Sequence, residues 1–123
     1  MNSEAPADPA DEAGEVGEVV RFDVVNHGDD ATVVHVVGEI DTLTAPVLRA
    51  QLDEHLPVVP LLVLDLSDVT FLGSAGLAVL VETQKAARSR DVALRLIATT
   101  RAVTRPLEVT GLIDLFTIAD SAG

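Results

Sequence analysis

Apolar and polar positions recur along this chain in two rhythms. Residues 21–25 and 31–37 read as short strands, and Asn26-His27-Gly28-Asp29-Asp30 between them is a polar turn cluster, so the pair predicts a hairpin. Residues 61–66 are an almost unbroken apolar run between Pro60 and Ser67-Asp68, the pattern of a parallel strand covered on both faces. Residues 92–98 are similar, and 115–119 make a short last strand. Helical spacing fills the gaps. A first helix runs over about 43–55, with Val47, Leu48, Leu52 and Leu56 recurring at helical spacing and Pro46 in its first turn, where a missing N–H does little harm. A second helix runs from Ser74 to about Arg90, with Leu77, Leu80, Val81 and Gln84 turned inward. A third spans 102–110 and stops at Gly111, a suitable left-handed cap. The order β-β-α-β-α-β-α-β predicts an α/β domain. Its mixed, mostly parallel sheet has about five strands and its connections are right-handed, with three to four helices.

Composition narrows the picture. The chain has 123 residues, enough for one domain. Residues 1–20 carry six acids (Glu4, Asp8, Asp11, Glu12, Glu15, Glu18), no Lys or Arg, and Pro6, Pro9, Gly14 and Gly17 among small residues. Such a segment buries too little apolar surface to offset its ordering entropy, so disorder is expected to about Val19, followed by a domain over 21–120 and a short end, 121–123. The tail holds six of the twelve net negative charges. That balance repels phosphate backbones and anionic lipid, and three Phe without Trp or Tyr offer no base-stacking platform, so neither nucleic acid nor membrane is an expected partner. With no cysteine there is no disulfide, thiolate metal site or thiol nucleophile. The longest apolar stretch, 57–64, contains two prolines and falls far short of the roughly 20 residues of a membrane span. Residues 1–20 have neither the basic nor the apolar segment of a secretory signal, so they are not expected to be one. A cytoplasmic monomer is the default expectation.

The candidate chemistry sits in Leu64-Asp65-Leu66-Ser67-Asp68-Val69-Thr70-Phe71-Leu72-Gly73-Ser74-Ala75-Gly76-Leu77. A buried strand ends near Asp65–Leu66, a short polar loop follows, and Ser74 falls at the expected N-cap of the second helix. One reading makes Ser74 that cap and no more, worth about 1 kcal/mol. The other makes it a phosphorylation site, because free N–H groups and the positive dipole end of a helix stabilise an anion. Gly73 and Gly76 leave the hydroxyl open to another protein's active site. Ala75 and Val79, opposite the inward face, offer a docking patch unless a neighbouring helix covers them. Ser67, Thr70 and Thr42 are lesser candidates for modification.

The second landmark is Val37-Gly38-Glu39-Ile40-Asp41-Thr42-Leu43-Thr44-Ala45, where the second strand passes into the first helix. Asp41, Thr42 or Thr44 can cap that helix. Glu39 and Asp41 as an acid–base pair lack a cleft or metal site beside them. His27, His35 and His55 have no ligand-like spacing, so neither a metal nor a cofactor is expected. No phosphate-binding loop or dinucleotide fingerprint is present. A response-regulator receiver shares the α/β plan, but Asp29-Asp30 fall in a turn and the only lysine, Lys85, lies within a helix.

Gly38-Glu39-Ile40-Asp41, then Leu64-Asp65-Leu66-Ser67, then Phe71-Leu72-Gly73-Ser74-Ala75-Gly76-Leu77 together resemble the STAS domain of bacterial anti-sigma factor antagonists. The similarity runs from about Arg21 to Asp120, and the order and spacing of the motifs carry it. The resemblance implies a non-enzymatic regulator that binds an anti-sigma factor, commonly a Ser/Thr kinase with a histidine-kinase-like ATPase fold, and so frees a sigma factor. It implies phosphorylation at the position of Ser74 and reversal by a phosphatase. It also implies that the loop between the second strand and the first helix, with Asp41 and Thr42, touches the partner; together with the helix patch and its flanks, the expected partner contact is Glu39, Asp41, Thr42, Leu72, Gly73, Ser74, Ala75 and Val79. Three departures stand out. Gly73 replaces the usual Asp before the serine, and Ala75 the frequent second hydroxyl. The chain also stops at Ala119-Asp120-Ser121-Ala122-Gly123, where the family typically adds a fourth helix, so that helix is either missing or cut off. Two alternatives stay open: an accessory subunit of an ABC-type lipid-transport ATPase, and an antagonist that works without phosphorylation.

Overall fold

The computed structural model describes residues 20–55 and 60–119. Of the acidic tail expected over 1–20, residues 1–19 lie outside the described residues, while Val20 is buried and opens the first strand; Leu56, Asp120 and the end at 121–123 also lie outside them. The elements are β1 (Val20–His27), β2 (Ala31–Ile40), α1 (Ala45–His55), β3 (Leu61–Leu72), α2 (Ser74–Ser89), β4 (Ala93–Ile97), α3 (Arg101–Thr110), a 3-10 turn (Leu112–Leu115) and β5 (Thr117–Ala119).

The five strands form one sheet in chain order. β1 and β2 are the antiparallel hairpin, and every later pair is parallel. Right-handed crossovers that always step to the next strand place the three helices on one face. The core lies between that face and the helices. Val34, Val36, Leu62, Leu64, Leu66, Leu94 and Leu96 meet Leu48 and Leu52 of α1, Leu77 and Leu80 of α2, and Val103 and Leu107 of α3. Gly111 ends α3 in the left-handed conformation, φ 74°, as its position after the last apolar residue predicts.

The first three strands are longer than the sequence pattern suggests. The polar stretch expected as a loop after Leu66 is strand as far as Leu72. Two irregularities in the β2–β3 register explain why alternation hides it. One extra β3 residue enters between the pairs His35↔Asp65 and Val37↔Asp68, and another between Gly38↔Val69 and Glu39↔Phe71. The core-facing residues are therefore Leu62, Leu64, Leu66, Val69 and Leu72, two steps of two and then two of three. Asp65 Oδ1 fixes the first bulge by accepting from Ser67 N at 3.0 Å and Ser67 Oγ at 2.7 Å. The last strand is shorter than expected because residues 112–115 coil into the 3-10 turn.

Candidate functional site

The β2–α1 corner is closed by its own polar groups. Asp41 Oδ1 accepts from the backbone N–H of Leu43 at 2.9 Å and of Thr44 at 3.0 Å. Thr44 Oγ1 in turn accepts from Asp41 N at 2.8 Å and donates to the Glu39 carbonyl at 2.8 Å. This reciprocal arrangement is a capping box, and it assigns the cap to Asp41 and Thr44, not Thr42. The Thr44 N–H and hydroxyl and the Leu43 N–H favour the ionised carboxylate, and the Thr44 N–H is the largest influence. Against a smaller opposing effect of burial they hold the Asp41 carboxyl below its ordinary range.

The start of α2 is built differently. β3 delivers the chain beside Ile40, whose carbonyl accepts from Gly73 N at 2.9 Å. The N-cap is Gly73, in extended conformation, and Leu77 N donates to its carbonyl at 3.0 Å. Ser74, expected as the cap, is therefore the first helical residue. A carbonyl at position 73 that accepts from 77 puts the boundary one residue earlier. No side chain caps this end. The N–H groups of Ser74, Ala75 and Gly76 have no intrahelical acceptor, as at any helix start, and the first turn contains no acid. The Ser74 side chain is exposed.

The two glycines near Ser74 differ in role. A Cβ on Gly76 would stand 2.5 Å from Ile40 Cγ2 and 2.7 Å from Leu72 Cδ1. Gly76 therefore lets α2 close onto the ends of β2 and β3, and it does not open access to the hydroxyl. At Gly73 a Cβ would press on the edge of the Phe71 ring, at 3.1 Å, and meet the Ile40 carbonyl at an ordinary contact distance of 3.6 Å.

Five of the residues singled out by sequence converge. Asp41, Thr42, Gly73, Ser74 and Ala75 line one groove of about 300 Å³, and Phe71 forms its remaining wall. Ser74 also sits on the rim of a second groove, about 420 Å³, that follows α2 along Leu77, Ala78 and Val81 to Glu82 and Lys85 and is bounded by Thr110 and Leu112. Glu39 is exposed on β2, level with Phe71, outside both linings. Two expected contact residues are corrected. Leu72 and Val79 are each only 4% exposed and belong to the core. Leu72 points inward because of the second bulge. Val79 lies on the side of α2 that α1 covers, one turn before Glu82, which pairs with Arg49 of α1. The exposed small residue one turn beyond Ser74 is Ala78, not Val79.

The lesser hydroxyls are differently placed. Ser67 Oγ is engaged by Asp65. Thr70 Oγ1 donates to the Gly38 carbonyl at 3.3 Å, and Thr42 is exposed in the first groove. His35 lies 2.7 Å from Asp68 Oδ2 and 3.7 Å from Asp23 Oδ2, away from both grooves. Among the described residues no group of His, Asp and Glu has metal-binding geometry, and no helix is long and apolar enough to cross a membrane.

Comparison with known proteins agrees with this layout. An anti-sigma-B factor antagonist of Bacillus subtilis is 34% identical over 100 residues, covering 81% of this chain and 91% of that protein. The anti-sigma-F factor antagonist RsfB of Mycobacterium tuberculosis is 36% identical over 94 residues, covering 76% of this chain and 75% of that protein. The crystal structure of an anti-sigma factor antagonist from Mycobacterium paratuberculosis superposes with a TM-score of 0.76 at 35% identity, covering 84% of this chain and 87% of that one. The STAS domain model matches residues 22–123, which takes in every described strand and helix except the first two residues of β1, and the chain belongs to the STAS domain family.

Proposed function

We propose that this chain is an anti-sigma factor antagonist: it binds an anti-sigma factor, thereby frees a sigma factor, and is switched off by phosphorylation of Ser74. One observation carries the reading. An exposed serine hydroxyl stands at the first position of an uncapped helix, on the rim of two grooves. The names of the relatives support the partner class. The role is that of a cytoplasmic binding module, and the catalytic groups belong to the partner. A kinase-type anti-sigma factor directs Ser74 Oγ onto the γ-phosphorus of ATP. The new O–P bond displaces ADP, and the hydroxyl proton passes to a base of the kinase. A phosphatase restores the serine by hydrolysis.

Magnitude decides how the switch works. A phosphate adds about −1.5 to −2 charges to a chain already at −12, and salt screens its distant field within about 10 Å. The effect is therefore local. The phosphate occupies the contact surface opposite the ionised Asp41 and must lose hydration for the partner to dock. A penalty of about 3 kcal/mol weakens binding roughly a hundredfold. The test is incubation with Mg-ATP and purified candidate anti-sigma factors, followed by mapping of modified residues by mass spectrometry. Phosphate on Ser74, with release of the partner, is expected. A partner that binds tightly and leaves Ser74 unmodified would contradict the switch.

A further inference from the structure

Phe71 is the most exposed of the three phenylalanines. Phe116 is buried, Phe22 packs against the core, and Phe71 is 51% exposed. Its position results from the backbone. After Leu66 and Val69 the alternating pleat would return residue 71 to the core. The extra residue between the pairs Gly38↔Val69 and Glu39↔Phe71 turns the strand, so that Leu72 enters the core and Phe71 faces out. Bulges beside functional sites re-aim side chains in this way. The ring comes to rest against Gly73, where a larger residue would press on it, and it walls the groove that holds Ser74. Two carboxylates border it: Glu39 is its register partner on β2, and Asp41 lies in the same groove.

We infer that Phe71 is the aromatic anchor of the contact proposed above, inserting into a pocket of the anti-sigma factor that is apolar at its floor and basic at its rim. The inference rests on that functional reading and adds to it the residue that dominates affinity. Exposed aromatics at the centre of an interface, ringed by polar groups, are where binding energy concentrates. The arrangement also places the anchor beside the switch, so a phosphate on Ser74 acts on the most sensitive part of the contact.

Two variants test it against a purified anti-sigma factor that binds the wild-type chain. Phe71→Ala is expected to bind roughly thirtyfold more weakly, the scale of an aromatic hot spot, with a melting temperature close to wild type. Phe71→Trp supplies the only indole in a chain without Trp or Tyr. Its fluorescence is expected to shift to the blue when saturating partner is added. Affinity of Phe71→Ala within about threefold of wild type, or an unshifted indole emission in the saturated complex, overturns the anchor. If Phe71→Ala does not fold, the emission measurement decides alone. If no anti-sigma factor binds the wild-type chain, the functional reading fails and the anchor with it. Wild-type binding combined with an indifferent Phe71 sinks only the anchor.

Discussion

The two helix entrances that border the Ser74 groove handle the same problem in opposite ways. At the β2–α1 corner, Asp41 and Thr44 answer each other's backbone groups, and Thr44 also holds the Glu39 carbonyl. At the start of α2 the capping position is a glycine, and no side chain answers the first-turn N–H groups. The closed corner fixes the position of the groove's acidic wall. The open one leaves a hydroxyl and an electropositive helix end facing outward. Rigidity and availability are therefore assigned to neighbouring turns of one surface.

The seat of α2 on the sheet is most sensitive at Gly76. Gly76→Val puts methyl groups where even a Cβ lies 2.5 Å from Ile40, so α2 must lift from the sheet. We expect a loss of about 3 kcal/mol in urea unfolding, the upper part of the overpacking range, and a melting temperature lower by about 4–8 °C per kcal/mol. Next comes Thr44→Val. Thr44 is 1% exposed, and the change leaves the Asp41 N–H and the Glu39 carbonyl without their partner. A loss of about 1–3 kcal/mol is expected by the same measurement, with residues 41–44 gaining hydrogen exchange while the start of α2 does not.

Asp41→Asn sharpens the contrast through pH. The folded-state pKa of Asp41 is depressed, so its contribution is present above the ordinary value of 3.8 and is lost as pH falls through the lower folded value. Wild-type stability should fall more steeply than that of Asp41→Asn as pH drops below about 4. Identical slopes would show that the Asp41 carboxylate does not stabilise the corner. The smallest effect belongs to Gly73→Asp, which gives α2 the cap that α1 already has. The Phe71 ring must yield by a few tenths of an ångström, and it stands free to do so. A gain of a few tenths of a kcal/mol is expected. A loss above about 1 kcal/mol would show that the ring is fixed.

Much of this layout is legible from residue order. The hairpin, the crossover helices, the Gly111 cap and the Asp41 corner follow from turn chemistry and apolar spacing, because each depends on neighbours in sequence. What is hidden depends on pairing between strands. The two bulges in β3 break the period-2 rhythm, so the strand reads as loop, Leu72 reads as surface and Phe71 escapes notice. Val79 misleads for a related reason: its side of α2 is decided by where α1 packs, which no periodicity within α2 reveals. Ser74 is found correctly as an exposed hydroxyl at a helix start. Its exact place relative to the cap depends on which carbonyl Leu77 chooses.

In the function proposed above, a negative group on Ser74, at the open entrance, is incompatible with the partner's approach. The most direct measurement is calorimetric titration of an anti-sigma factor with the wild-type chain, Ser74→Ala and Ser74→Asp, each checked for a native circular dichroism spectrum. Ser74→Ala is expected to bind like the unmodified chain, and Ser74→Asp to lose binding by roughly a hundredfold with its fold intact. Equal affinity of the two variants would contradict that function.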